Sequence, residues 1–229
     1  MREKVPVFNL RMMPRLAHLV VVLATLALVA LAPSARADVL SEAESIRLAR
    51  GETVIREHTW EPGRSARFVG GVTYTIVDAG AAEIVALFDD INAYRRVLPR
   101  TKQARLVSVE PNGDRLVDLV QGTALVEAEY TLRVRPDAPS ASTPRTGRQV
   151  RFWLERSRPH DIDDAWGFFR IEPFTDVSGM PRVLLTYAIL VDIGPGIVRD
   201  LFEEKVRSAL LSVPQLLRRY VAEGRHPRY

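Results

Sequence analysis

The chain has 229 residues, no cysteine, 32 Lys and Arg against 28 Asp and Glu, and 47% hydrophobic residues. Without cysteine there is no disulfide framework, no thiol nucleophile and no cysteine–zinc site. The basic excess sits at the N-terminus: removing the five basic and one acidic residues of positions 1–37 leaves 27 of each, so nucleic-acid binding loses the surplus positive charge it rests on.

Arg2, Lys4, Arg11 and Arg15 precede an uncharged, apolar run of fourteen residues at 19–32, followed by Pro33-Ser34-Ala35-Arg36-Ala37. This is the three-part pattern of a secretory signal peptide, with cleavage expected after Ala37. The alternative is an uncleaved N-terminal membrane anchor, for which the run falls short of the ~20 residues that span a bilayer. An exported protein without disulfides suits a bacterial periplasm.

Residues 38–50 read as a short helix or linker, closed by Gly51. Residues 53–58 alternate as a strand, Glu61-Pro62-Gly63 turns, and 67–77 form a longer strand with Val72, Tyr74 and Ile76 on one face. Gly70-Gly71 inside it predicts a bulge or sharp bend. The spacing of Ile84, Leu87, Phe88, Ile91, Tyr94 and Leu98 predicts one helix over 81–97, ended by Pro99.

Six strands follow at 105–110, 115–121, 125–135, 148–156, 164–174 and 182–192. Pro111-Asn112-Gly113-Asp114 is a hairpin turn, and 136–147 is a Pro/Ser/Thr-rich loop. In the 125–135 strand Val126, Ala128, Tyr130, Leu132 and Val134 share one face. Glu127, Glu129, Thr131 and Arg133 share the other, read as outer and solvated with cross-strand ion pairs.

Ile197, Val198, Leu201, Phe202, Val206, Ala209, Leu210, Val213, Leu216, Leu217, Tyr220 and Val221 recur at helical spacing, so 196–223 reads as one long amphipathic helix. Pro214 falls inside it and requires a bend, as a kink over the sheet or as a hinge. The whole is an α+β domain over 51–224, with 225–229 as a tail. A curved antiparallel sheet wraps around the long C-terminal helix.

Catalytic patterns are scarce. The expected mature chain has His58, His160 and His226, none at the spacing of a nucleophile motif, and no P-loop or dinucleotide fingerprint occurs. His160-Asp161-Ile162-Asp163-Asp164 gathers carboxylates, but without an EF-hand spacing it reads as a hairpin turn rather than a metal site. No catalytic residue, cofactor or metal is assigned.

Three segments resemble the START-like helix-grip superfamily, with its polyketide cyclase/dehydrase and coenzyme Q-binding relatives, in a secreted bacterial branch. They are IVALFDDINAYRRVLPRTKQARLVS, where Tyr94 precedes Leu98-Pro99; EYTLRV; and the succession GFFRIEPF, LLTYAILVDIGPG and ALLSVPQLLRRY. The order and spacing cover about 51–223. The resemblance implies an apolar tunnel between sheet and C-terminal helix that binds lipids, sterols, quinones or polyketides.

The residues expected to line such a cavity are Tyr130, Leu132, Phe152, Leu154, Phe169, Ile171, Leu185, Tyr187 and Ile189 on the strands and Phe202, Val206, Leu210 and Val213 on the helix. Pro99 and Pro214 are the expected gates, with the 157–164 turn beside them. Trp153, Trp166 and Phe168 fall on the opposite phase, either as an exposed docking patch or beneath the N-terminal segment. The leading expectation is a non-enzymatic periplasmic carrier of a hydrophobic small molecule or lipid, with transient membrane contact and no nucleic acid. A cyclase or aromatase using the same cavity and a protein-interaction module stand as alternatives.

Overall fold

A computed structural model of the chain describes residues 40–63, 66–123, 126–137, 147–174 and 181–225, except the side chains of 197–200 and 225. The expected leader with its cleavage point, the loop positions 138–146 and His226 lie outside the described residues. One folded unit begins at Glu42. Among the described residues no helix is long and apolar enough to cross a membrane.

Every strand pair is antiparallel. The strands are β1 (Val54–Trp60), β2 (Phe68–Val77), β3 (Thr101–Val109), β4 (Arg115–Gly122), β5 (Glu127–Pro136), β6 (Arg148–Leu154), β7 (Asp164–Phe174) and β8 (Arg182–Asp192). They form one eight-stranded sheet in the order β1-β2-β8-β7-β6-β5-β4-β3. From β3 to β8 each strand pairs with its chain neighbour, as short hairpin connections dictate. The pairing of β2 with β8 is the non-local one, running from Val69 opposite Val191 to Val77 opposite Val183.

Alternation along each strand decides what faces inward. On β7, Ala165, Gly167, Phe169 and Ile171 are buried while Trp166, Phe168 and Arg170 are not. Burying a side chain such as Phe169 or Ile171 contributes roughly 1.5–3 kcal/mol.

Gly70 and Gly71 form no bulge: register runs unbroken through both on each side. A Cβ at Gly70 would lie 2.0 Å from the Ile189 carbonyl oxygen, and one at Gly71 2.1 Å from that of Arg56. The glycines are there because three strands approach too closely for a side chain, at φ +155° and +149°.

Two helices expected to be continuous are each divided. The 81–97 segment forms α2 (Ala81–Leu87) and α3 (Ile91–Val97), because the Asp90 carboxylate accepts the Asn92 amide at 2.9 Å and starts a new helix. The C-terminal helix is α4 (Ile197–Leu211) and α5 (Val213–Arg225), broken at Ser212. The Ser212 hydroxyl donates to the Ala209 carbonyl at 2.7 Å, and its own carbonyl accepts from Gln215 and Leu216 at 3.0 and 3.1 Å. Pro214 therefore sits in the first turn of α5, where its missing N–H has no helical partner to lose. Both α4 and α5 pack on β2, and α5 also packs against α3. Residues 42–49 form α1 (Glu42–Ala49), held to β1 by Glu44 and Arg56, with oxygen–nitrogen distances of 2.8 and 2.5 Å.

The outer face of β4, β5 and β6 carries charge rather than core. Asp114 is wholly buried and accepts from Arg135 Nε and Nη2, both at 2.6 Å, and from Arg133 at 3.3 Å. Those bonds, Arg135 first, hold its carboxyl down at about 2. Thr131 and Arg158 bind Asp118, Arg133 binds Glu155 and Lys102 binds Glu127, so this face of β5 carries the expected cross-strand ion pairs, with Glu127 and Glu129 exposed but Thr131 buried beneath Arg158.

Candidate ligand-binding site

An apolar cavity of about 70 Å³ lies between the concave sheet, α2, α3 and the break between α4 and α5. The inward phase of five adjacent strands builds its floor, with Leu119 and Gln121 coming from β4. Tyr130 and Leu132 come from β5, Phe152 from β6, Phe169 from β7, and Tyr187 and Ile189 from β8. Gly167 makes room for this arrangement, since a Cβ there would fall 2.5 Å from the Phe152 ring. The rings pack closely: Phe169 lies 4.5 Å from Tyr187 and 4.7 Å from Phe88, and Phe152 lies 5.8 Å from Phe169, centroid to centroid. Leu210 and Val213, one on each side of the break, form the roof with Leu217.

Of the expected lining, Tyr130, Leu132, Phe152, Phe169, Tyr187, Ile189, Leu210 and Val213 border this cavity. Leu154, Ile171 and Leu185 point inward too, but they are buried in filled core and do not border it. How far the cavity runs along each strand depends on what packs above it. Phe202 and Val206 are half-buried on α4 outside the lining. Pro99 borders the cavity, whereas Pro214 is buried at the start of α5 without lining it.

Sequence reading missed the α2–α3 wall, where Leu87, Phe88, Tyr94, Val97 and Leu98 line the space. It also missed Gln121, whose position two residues after the inward Leu119 was a usable signal. Gln121 is the hub of the polar groups. Its Nε2 donates to the Pro99 carbonyl at 3.2 Å and to Thr101 Oγ1 at 2.8 Å, and its Oε1 accepts from the Tyr130 hydroxyl. The Tyr94 hydroxyl donates to the Phe88 carbonyl at 3.2 Å. Burial pushes the Tyr94 phenol up to about 12 and raises Tyr130 and Tyr187 well above the usual tyrosine range.

A second, open cleft of about 650 Å³ lies outside the first, between α3, the Pro99–Arg100 turn and the α4–α5 break, and Leu98 and Pro99 border both. Arg95, Arg96, Arg100 and Lys205 rim it against Glu204. Arg96 pairs with Glu223 at 3.1 Å and Glu204 with Arg207 at 3.2 Å. Arg95, Arg100 and Lys205 have no carboxylate partner among the described residues. Arg100 holds φ +57°, a left-handed conformation rare outside glycine.

Elsewhere the flagged residues are structural. Asp161 accepts the Glu129 amide at 2.8 Å, Asp164 pairs with Arg156 at 2.6 Å and exposed His160 meets the Ile162 carbonyl at 2.8 Å. Among the described residues no acidic or histidine group could hold a metal. His58 is exposed on β1. Trp166 is 42% exposed on the outer face, but arginines interrupt the patch. Arg135 covers Trp153 at 5.0 Å, and Arg170 covers Phe168 at 5.4 Å.

No protein-family model matches the chain, and no curated protein does. Solved structures do. The STAR-related lipid transfer protein of Xanthomonas axonopodis (fragment 25–204) superposes with a TM-score of 0.54 at 15% identity, over 72% of this chain and 98% of that one. A Thermus thermophilus protein does so with a TM-score of 0.50 at 15% identity, over 67% and 97%. This chain has the START-like helix-grip fold. In this version of the helix grip, the gripping helix is two helices, and the cavity lies under their junction.

Proposed function

We propose that this protein binds a hydrophobic small molecule or lipid beneath the α4–α5 break and carries it sequestered from water. The observation that carries the reading is the cavity: an aromatic and aliphatic chamber whose polar groups are three phenols and one carboxamide. A lipid transfer protein among the structures of the same fold supports a lipid as the class of ligand. Among the described residues the lining has no carboxylate, imidazole or amine. Its phenols keep their protons at neutral pH. Those groups favour binding over proton transfer.

At about 70 Å³ the chamber holds only part of such a ligand, since pockets for drug-sized molecules run to roughly 300–1,000 Å³. Loading then requires the Pro99 turn to part from the helix break, joining the chamber to the outer cleft. Each 200 Å² of apolar ligand surface removed from water contributes about 5 kcal/mol towards that opening. Arg95, Arg100 and Lys205 at the cleft would draw it to an anionic membrane surface during exchange. Export to the periplasm completes the proposal, resting on the leader.

Mass spectrometry of the native protein and of its organic extract tests the reading. A co-purifying apolar molecule is expected, and it should be lost from Val213→Trp, which fills the chamber. Protein that carries no such molecule and takes none up from vesicles would sink the carrier reading. Fractionation with N-terminal sequencing tests export, with Asp38 expected as the first residue.

A further inference from the structure

Three tyrosines line the cavity, and two of their hydroxyls are satisfied by protein. Tyr94 donates to Phe88 O and Tyr130 to Gln121 Oε1. The third, Tyr187, is 2% exposed and lines the cavity, and its hydroxyl has no hydrogen-bond partner among the described residues. Thr73, its cross-strand neighbour on β2, spends its own hydroxyl on the Leu211 carbonyl at 3.0 Å. Nor can the Tyr187 ring swing to find a partner. It is stacked on Phe169 at 4.5 Å and 29° and on Phe152 at 6.1 Å and 26°. The hydroxyl is not itself sealed off, since among the described residues the fully buried side-chain polar atom without a partner is Arg207 Nε; it faces the space of the cavity, where a donor with no protein partner is open to a ligand.

The neighbouring carboxamide narrows what the site offers. Gln121 Nε2 faces two acceptors, the Pro99 carbonyl and Thr101 Oγ1, so its Oε1 must face Tyr130 and Tyr130 must be the donor of that bond. Tyr130 thus has no proton left to offer, and Tyr187 supplies the free donor of the chamber. No cation lines the cavity among the described residues.

We propose that the Tyr187 hydroxyl is a selectivity device: it binds one uncharged acceptor oxygen, a ketone, ester or hydroxyl, on an otherwise apolar ligand. A pure hydrocarbon leaves the donor unmade. A carboxylate gains one hydrogen bond against the cost of burying a charge with no counter-ion, and is excluded. The ligand class is therefore an apolar molecule with one neutral oxygen group. This rests on the carrier reading and sharpens it.

The test compares wild type with Tyr187→Phe, which keeps the stacked ring. Binding of the neutral fluorophore N-phenyl-1-naphthylamine is measured first, then its displacement by decylbenzene, decanophenone and 4-decylbenzoate. In wild type the ketone is expected to bind about tenfold tighter than the hydrocarbon, with the carboxylate weakest. In Tyr187→Phe the ketone's advantage should fall below about twofold, with decylbenzene unchanged. The ligand-free variant should melt close to wild type, because among the described residues the hydroxyl makes no hydrogen bond that the change could remove. An equal ketone-to-hydrocarbon ratio in the two proteins overturns the selectivity role while leaving the carrier intact. Failure of every probe to bind wild type overturns both.

Discussion

Arg67 grips Glu203 through two parallel N–H···O bonds, Nε to Oε2 at 2.8 Å and Nη2 to Oε1 at 2.9 Å. The pair ties the chain entering β2 to the middle of α4, 136 positions apart. Arg207 adds to it, reaching Glu203 at 3.0 Å and Thr59 at 3.1 Å. Planar, bidentate contact of this kind is the strong form of a surface ion pair. It anchors α4 to β1 and β2, so in the proposed loading step the part left to move is the α3 and Pro99 side of the cleft.

Glu203→Ala should therefore lower the urea midpoint, and added salt should narrow the difference from wild type because Arg67 is partly exposed. Hydrogen exchange should rise along α4 while β5 to β7 remain protected. Uniform loss of protection across the sheet would contradict the anchor.

Acid should weaken the fold through Asp114. Its folded value of about 2 lies below the ordinary 3.8, so the stabilisation is complete above about pH 4 and is lost as pH falls through about 2. Asp118 and Glu155 are lowered too and act in the same direction. Urea midpoints taken from pH 5 to pH 2 should fall steeply in wild type and less steeply in Asp114→Asn. That variant should also be less stable than wild type at pH 7, because Arg135 and Arg133 lose the negative charge and one of the two acceptor oxygens they share.

Alkali should weaken it from the inside of the cavity. Tyr94, Tyr130 and Tyr187 ionise in the folded state only above the ordinary value of 10.0. The unfolded chain releases those protons first, so stability declines as pH rises past about 10. Absorbance near 295 nm should show three phenols resisting titration to pH 11 and appearing together with unfolding. Their smooth titration in folded protein would place them in contact with solvent.

Gly70→Ala should be severe, since its Cβ would fall 2.0 Å from the Ile189 oxygen with φ at +155°. A loss of about 3 kcal/mol or more follows from moving β2 off β8. Gly63→Ala, with nothing within 4 Å of the added Cβ, is the control and should melt close to wild type.

The strand order after Thr101, the inward phase of Tyr130, Phe152, Phe169 and Tyr187, and the outward phase of Trp153 and Trp166 were all legible in the chain. Period-2 alternation is a local property, and each hairpin joins neighbours in sequence. Other features were not local. Asp90 and Ser212 divide helices whose apolar stripes run on through the breaks, because a cap competes with the helix over a single turn while the stripe is averaged over many. Pro214 was visible as an interruption; that the break falls before it, at Ser212, depended on local hydrogen bonding.

By itself, the sequence determined the α+β class, the curved antiparallel sheet and an apolar face for the closing helices, since composition and periodicity act residue by residue. Only the tertiary structure decided that β2 completes the sheet beside β8. It alone decided that the cavity opens at Ile189 and Leu132 but closes over Ile171, Leu185 and Leu154. It also left Tyr187, of the three cavity phenols, without a hydrogen-bond partner among the described residues. The reason is physical: a buried side chain lines a void or fills a core according to what approaches from the opposite wall. Here that wall is α3 and the α4–α5 junction, brought over the sheet from distant parts of the chain.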